Sequence, residues 1–322
     1  MLAITMGDAN GVGPEIVLKA FKQNELGNGD YVVVGDYSIL SWCNEKLGYG
    51  VNLHKMSDLT DYDDQALNVY DLGLLSPEDL TLGKIDKKVA AASREYVAEA
   101  TRMALDNKFT ALVTLPVNKE AIRLSDPNFT GHTELIADIC GQNSYTMMLA
   151  SSKLTVTHVS THVSMLQSIA NVKKNRILDV IKLTYDAIHR FKETPKIAVA
   201  GLNAHSGEGG AFGMEEIEEI TPAIEAANAA GMNAIGPVPP DTVFLRASKG
   251  EFDAVVCMYH DQGHIPMKVL DFEGGVNVTL GLKVVRTSVD HGTAYDIAYK
   301  GIASTGSLVA ALDYGRKIQN KE

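Results

Sequence analysis

The chain has 322 residues, of which 45% are hydrophobic and 21% charged, the balance of a globular protein rather than a disordered or fibrous one. That length exceeds what one small core needs and allows two lobes. A net charge of −11 argues against nucleic-acid or anionic-membrane partners, so an anionic substrate has to be drawn in by local cations.

In chain order, LAITM (2–6) reads as a first strand, and no basic stretch ahead of an apolar core marks a signal peptide. MGDANGVGPEI then sets Gly7, Gly11 and Gly13 before a helix over 14–22 with Pro14 in its first turn. GxG before a helix is a weak dinucleotide signal, and the full GxGxxG is absent. YVVVGD (31–36) is the second apolar run, a helix is expected over 84–107, and ALVTLPV (111–117) follows. In FTGHTELIA (129–137), His132 and Thr133 stand where a helix begins, a place whose amides favour an anion; a simple threonine cap is the alternative.

KLTVTHVS (153–160), KIAVAGLN (196–203) and FDAVVCMY (252–259) complete the set of strands, separated by helices over 173–191 and 214–230. Strand–helix alternation implies an α/β fold with a mostly parallel sheet, whose ligands sit beyond the C-terminal strand ends. Cys43, Cys140 and Cys257 show no CxxC spacing and read as reduced thiols of a cytoplasmic protein. No apolar run approaches the roughly 20 residues of a membrane span.

Three of these strand ends deliver histidine: VTHVSTHVS carries His158 and His162, VAGLNAHSGEGG carries His205, and VVCMYHDQGH carries His260. Each alone reads as structural. Together they make a candidate divalent-metal set of His162, His205 and His260 with coordination positions left for substrate. Asp261 could orient the His260 ring or cap a loop. Lys268, Asn277 and Arg286 follow; lysine and arginine suit carboxylate and phosphate, and Arg286 ends an apolar run rather than lying in a polar stretch. In DHGTAYDIAYKGIAS (290–304), small residues including Gly292 and Thr293 would admit a cofactor to the backbone. Asp296 could accept from ribose hydroxyls and repel a 2′-phosphate, favouring NAD over NADP; a carboxylate at a helix N-terminus is the alternative.

The blocks ITMGDANGVGPEI, TLPVNKEAI, FTGHTEL, GLNAHSGEGGAFG, GPVPPDTVF, MYHDQGHIPMK and GVNVTLGLKVVRTSVDHGTA resemble the 4-hydroxythreonine-4-phosphate dehydrogenase family, in that family's order and over nearly the whole chain. HVSTHVSM, NKEAI, FGMEEIEEI and YHDQGHIP look more like its branch of 4-phospho-D-threonate and 4-phospho-D-erythronate dehydrogenases. Ala9-Asn10 and Tyr295 depart from the family pattern. The resemblance implies a two-lobed isocitrate/isopropylmalate dehydrogenase-like fold with its site in the interdomain cleft, the lobes being 1–128 with 278–322, and 129–277. It implies a homodimer with shared sites, the metal on His162, His205 and His260 (the last from the partner), and substrate on His132, Thr133, Lys268, Asn277 and Arg286.

The reaction it implies is NAD-dependent oxidation at C3 of a four-carbon 4-phosphorylated acid, followed by decarboxylation. The metal is a divalent ion such as Zn, Mg, Co or Mn, and Lys268 is a candidate for moving the C3 hydroxyl proton. His264 is expected near the C2 end, selecting a hydroxy acid, with simple packing in a loop as the alternative. A metal-dependent hydrolase leaves the 290–304 loop unexplained. A non-catalytic sugar-phosphate binding protein would show no metal dependence.

Overall fold

The computed structural model describes residues 1–27, 29–271 and 274–319. By its contacts the chain divides into two compact units, Met1–Asn143 with Leu282–Glu322, and Ser144–Gly281. The boundaries fall at 143/144 and 281/282, where the sequence reading sets them at 128/129 and 277/278, so the helix bearing His132 and Thr133 belongs with the first unit.

The first unit comprises β1 (Leu2–Thr5), α1 (Gly13–Lys22), β2 (Tyr31–Gly35), α2 (Tyr37–Leu47), β3 (Leu53–Met56), β4 (Leu67–Asp71), α3 (Lys87–Leu105), β5 (Ala111–Thr114), α4 (Lys119–Arg123) and α5 (His132–Cys140). The second comprises β6 (Thr146–Ala150), β7 (Thr155–His158), α6 (Met165–Ala170), α7 (Lys174–His189), β8 (Lys196–Ala200), α8 (Thr221–Ala229), β9 (Asn233–Val238), α9 (Pro240–Ser248), β10 (Ala254–Cys257), α10 (His260–Leu270) and β11 (Val276–Leu280). The chain then returns to the first unit with β12 (Arg286–Ser288) and α11 (Gly306–Ile318).

Within the first unit the strands run β3-β4-β2-β1-β5-β12, every pair parallel. β1 and β5 are buried along their whole length, which is why they appear in the sequence as unbroken apolar runs rather than alternating ones. Within the second unit the order is β11-β6-β7-β10-β8-β9. β11–β6 and β6–β7 are antiparallel, and β7–β10, β10–β8 and β8–β9 are parallel. On one face of this sheet, Ile177, Val180 and Ile181 of α7 pack with Val199, Ile224 and Val256. The parallel neighbours β7, β10 and β8 therefore end side by side, and each is followed by one of the candidate histidines.

The helix expected over 214–230 is present, opening as a π-helical turn, Glu216–Ile220, and continuing as α8. One local reading needs correction. HDQGHIPMK is not a loop: it forms α10, despite Gly263 and Pro266 inside it. Gln262 anchors its first turn, its Oε1 accepting from the Met258 amide (2.6 Å) and its Nε2 donating to Gly201 O (2.7 Å). Gly263 is required by close approach, since a Cβ there would meet His158 Nε2 at 2.5 Å and Cys257 Sγ at 3.0 Å. Among the described residues no helix is long and apolar enough to cross a membrane.

Candidate active site

In the second unit, the ends of β7 and β10 bring four imidazoles together. The ring centroids of His162 and His260 are 5.6 Å apart, those of His158 and His264 are 4.7 Å apart, and the His264 ring stacks on that of His260 at 3.6 Å. Helical spacing places His260, His264 and Lys268 in line on one face of α10. An open cavity of about 320 Å³ lies beside them, lined by Thr161, His162, Met165, Tyr259, His260 and Asp261. His158 is fully buried. Burial, then the neighbouring His264, lowers its pKa to about 3. His264 is lowered to about 4, by burial first and then by His260. Burial also lowers Lys268, the direction a proton-transfer role requires; the cause is desolvation rather than neighbouring charge.

His205 stands apart, on the loop after β8. Five consecutive residues, His205–Gly209, have left-handed backbone, a conformation that non-glycine residues adopt only under tertiary constraint. Just ahead of this run, buried Glu216 accepts from the amides of Leu202 (2.8 Å) and Asn203 (2.7 Å) and from Asn203 Nδ2 (2.8 Å), fixing where the loop leaves β8.

The donor chemistry of the expected metal set fits a divalent ion. His205 Nδ1 lies 2.8 Å from Glu208 Oε1, and His260 Nδ1 lies 2.7 Å from Asp261 Oδ1. A carboxylate on Nδ1 turns Nε2 outward as a lone pair, the arrangement of metal-bound histidine. The positions do not complete the set within one chain. Among the described residues, no group of three or more His, Cys, Asp or Glu side chains could hold a metal ion. His162 and His260 are neighbours; His205 does not join them.

The first unit holds a cationic cluster around His132. Arg286, at the start of β12, is 3% exposed and donates from Nε (3.1 Å) and Nη2 (2.8 Å) to Thr114 Oγ1 at the end of β5. Burial lowers its pKa to about 10, with Glu134 acting the other way. α5 begins at His132, as its sequence suggests, and its first turn carries His132 and Glu134, which both lie within electrostatic reach of Arg286. His132 Nε2 is enclosed without a hydrogen-bond partner. Burial, then Arg286 and Lys119, brings its pKa down to about 3. Lys119, the first residue of α4, is a cation of this cluster to which the sequence reading gave no role; its signals were its place just beyond a buried strand and within the block NKEAI. Thr133 lies in the first turn of α5, whereas Lys268 and Asn277 (the second residue of β11) lie in the second unit.

The glycine-rich ends of the first unit interlock. A Cβ on Gly11 would meet Thr293 O at 2.6 Å, and the Val12 amide donates to that oxygen at 3.0 Å. Tyr295 donates to buried Asp8 (2.7 Å), whose carboxyl is raised by desolvation. Asn10 bonds Thr81 and the Lys84 carbonyl. Both departures from the family pattern therefore serve to tie the N-terminal loop to its neighbours. Gly292 is open, since a Cβ there would meet nothing within 4 Å, and Asp296 is exposed in a turn rather than at a helix N-terminus.

Two α/β units with polar side chains gathered at strand ends have the build of an enzyme acting on a small anionic molecule. Residues 28–315 match the family model of the pyridoxal phosphate biosynthetic protein PdxA, and the chain belongs to this family, whose members are dehydrogenases. It is 41% identical to D-threonate 4-phosphate dehydrogenase of Cupriavidus necator, covering 100% of this chain and 98% of that protein. It is 45% identical to 4-hydroxythreonine-4-phosphate dehydrogenase of Desulfosudis oleivorans, covering 97% and 94%. The crystal structure of 4-hydroxythreonine-4-phosphate dehydrogenase from Klebsiella pneumoniae superposes with a TM-score of 0.91 at 39% identity, covering 99% of each chain.

Proposed function

We propose that the chain oxidises C3 of a four-carbon 4-phosphorylated acid with NAD and decarboxylates the product, D-threonate 4-phosphate or D-erythronate 4-phosphate giving dihydroxyacetone phosphate and CO2. The observation that carries this reading is the cationic cluster of Arg286, Lys119 and the α5 N-terminus, together with family membership. The C3 hydroxyl loses its proton to a base, for which desolvated Lys268 is the candidate, and C3 loses hydride. The resulting 3-keto acid loses C1 as CO2, leaves its electron pair on the C2–C3 enolate, and takes a proton at C2. NAD, when bound, supplies the hydride acceptor; Gly292, Thr293 and Asp296 are the residues proposed to meet it.

The proposed substrate contacts are His132, Thr133, Lys268, Asn277 and Arg286. Relatives of both names match at similar identity, so sequence similarity does not choose the substrate. 4-Hydroxythreonine 4-phosphate is the second reading. His264, a neutral imidazole on the face of α10 shared with Lys268, is the residue we propose to meet C2 and select the hydroxy acids. A divalent ion on His162, His205 and His260 enters only through a second copy of the chain, since one chain does not gather the three; no step above passes through it.

The test is NADH formation with D-threonate, D-erythronate and 4-hydroxythreonine 4-phosphates, with and without chelator. Turnover of the hydroxy acids with chelator-sensitive rates is expected. A preference for the amino acid would reject the substrate assignment, and chelator-indifferent turnover would reject the metal.

A further inference from the structure

The dehydrogenase reading gives His158 no task. Its Nδ1 lies 3.3 Å from Met147 O, and His264 Nδ1 lies 3.1 Å from His260 O. A carbonyl oxygen only accepts, so each Nδ1 carries the hydrogen, and in a neutral ring Nε2 is then a bare acceptor. His158 Nε2 lies 3.2 Å from His264 Nδ1, where its lone pair receives the same N–H that His260 O shares. The two carbonyls thus set one direction along the chain Met147–His158–His264, and they agree. The far nitrogen, His264 Nε2, is left as an acceptor, although free histidine in water prefers to carry its hydrogen there. Gly263 is what lets the two rings meet: any side chain at that position would strike His158 Nε2.

We propose that His158 is a positioning residue that locks His264 with its hydrogen on Nδ1, and that His264 Nε2 accepts a hydrogen bond from the substrate hydroxyl adjacent to the one oxidised. The substrate half of this inference rests on the function proposed above; the tautomer half does not. An acceptor-only nitrogen cannot serve a carboxylate or phosphate oxygen, which also only accept, so its partner is a donor or a metal ion, and a substrate group that meets it must be a donor. His264 lies against His260 and one turn before Lys268, and a neutral hydroxyl suits that setting better than an ammonium.

Histidine-selective 15N labelling of the purified protein at pH 8, where an ordinary imidazole is neutral, reads the tautomer without substrate. His264 should show a protonated Nδ1 and an unprotonated Nε2; a protonated Nε2 overturns the lock. His158→Phe keeps an aromatic ring but leaves His260 O to accept this N–H alone, and should raise the population of the other His264 tautomer, while His158→Gln, which keeps an acceptor, should hold it at the wild-type level. If His158→Phe does not fold, the wild-type spectrum and His158→Gln still decide. Substrate recognition is read by comparing 3-hydroxy-4-phosphobutanoate, which lacks the C2 hydroxyl, with the 2,3-dihydroxy acid. Wild type should prefer the latter by about 100-fold in kcat/KM, and His264→Leu should abolish most of that preference. An equal preference in both proteins overturns the hydroxyl contact. Absence of turnover with either compound overturns the dehydrogenase reading and the hydroxyl contact with it, leaving the tautomer result to stand alone.

Discussion

Burying an arginine is costly unless its charge and its N–H groups are answered. Thr114 takes two N–H directions of Arg286, and the planar fork lies within electrostatic reach of His132 and Glu134 in the first turn of α5, a setting suited to an oxyanion. Arg286→Lys keeps the charge and loses the fork, so kcat/KM should fall by roughly 100-fold, about 2.7 kcal/mol, mostly through KM; steady-state kinetics would show an unchanged KM if the assignment is wrong. His132 makes a stability prediction whose sign is fixed. Its folded pKa is about 3 against an ordinary 6.5. Above pH 6.5 both folded and unfolded states are neutral and its contribution is fully present. Below it the unfolded chain takes up a proton the folded chain refuses, so stability falls with pH until about pH 3. Between pH 6.5 and 5 this amounts to about 2 kcal/mol. His132→Asn should make that part of the profile shallower by about one proton's slope in denaturant titrations without substrate, the buried His158 and His264 keeping theirs, and parallel profiles would remove the buried-neutral reading.

At the scale of elements, α10 shows why the site was only half legible. Its histidines and lysine could be picked out because they follow an apolar run, but glycine and proline concealed the helix. Propensity is local, whereas the contacts that hold α10 are Gln262 to Gly201 and Gly263 to His158, separated in sequence by 61 residues for the first pair. Without the helix, nothing in the spacing showed that His260, His264 and Lys268 share a face. The same limit applies to Thr114, which meets Arg286 only through parallel pairing of β5 with β12, and to Lys119, whose charge reaches His132 from a separate helix. By contrast, β1, β2, β5, β7, β8 and β10 were readable because each is an apolar run buried on both sides, and none needs a distant partner to be recognised. Gly263→Ala tests the close approach. Alanine favours a helix by about 1 kcal/mol, but here its Cβ would strike His158, and a net loss of about 1–3 kcal/mol is expected. Urea midpoints would measure it; a stabilised variant would mean that α10 sits further from β7.

At the scale of the whole molecule, the second unit has apolar surface that water alone does not explain. Leu166 is 80% exposed, Val269 79%, Ile265 60% and Phe212 55%, and His162, His205 and His264 lie within a few residues of them in sequence. Such a patch is normally covered by a partner, and the proposed partner is a second copy, which would also bring a second set of histidines. Leu166→Glu should therefore shift sedimentation toward the monomer and lower activity together. The origin of each metal ligand can then be asked directly. The family resemblance takes His260 from the partner, while His260 and His162 are neighbours within one chain at 5.6 Å and no group of three ligating side chains forms among the described residues. A shared site that keeps this pair together would draw His205 from across the interface. In that case a mixed dimer of His205→Ala and His260→Ala chains has one site with all three imidazoles and one lacking two, and should recover up to half of wild-type turnover per dimer. A mixed dimer of His162→Ala and His260→Ala chains damages both sites and should stay inactive. Verified heterodimers assayed for NADH formation separate the cases. Recovery in both pairings would return His260 to the partner, because either pairing then leaves one site whole. Recovery only in the second would make His162 the ligand that crosses, and recovery in neither would end the shared metal site.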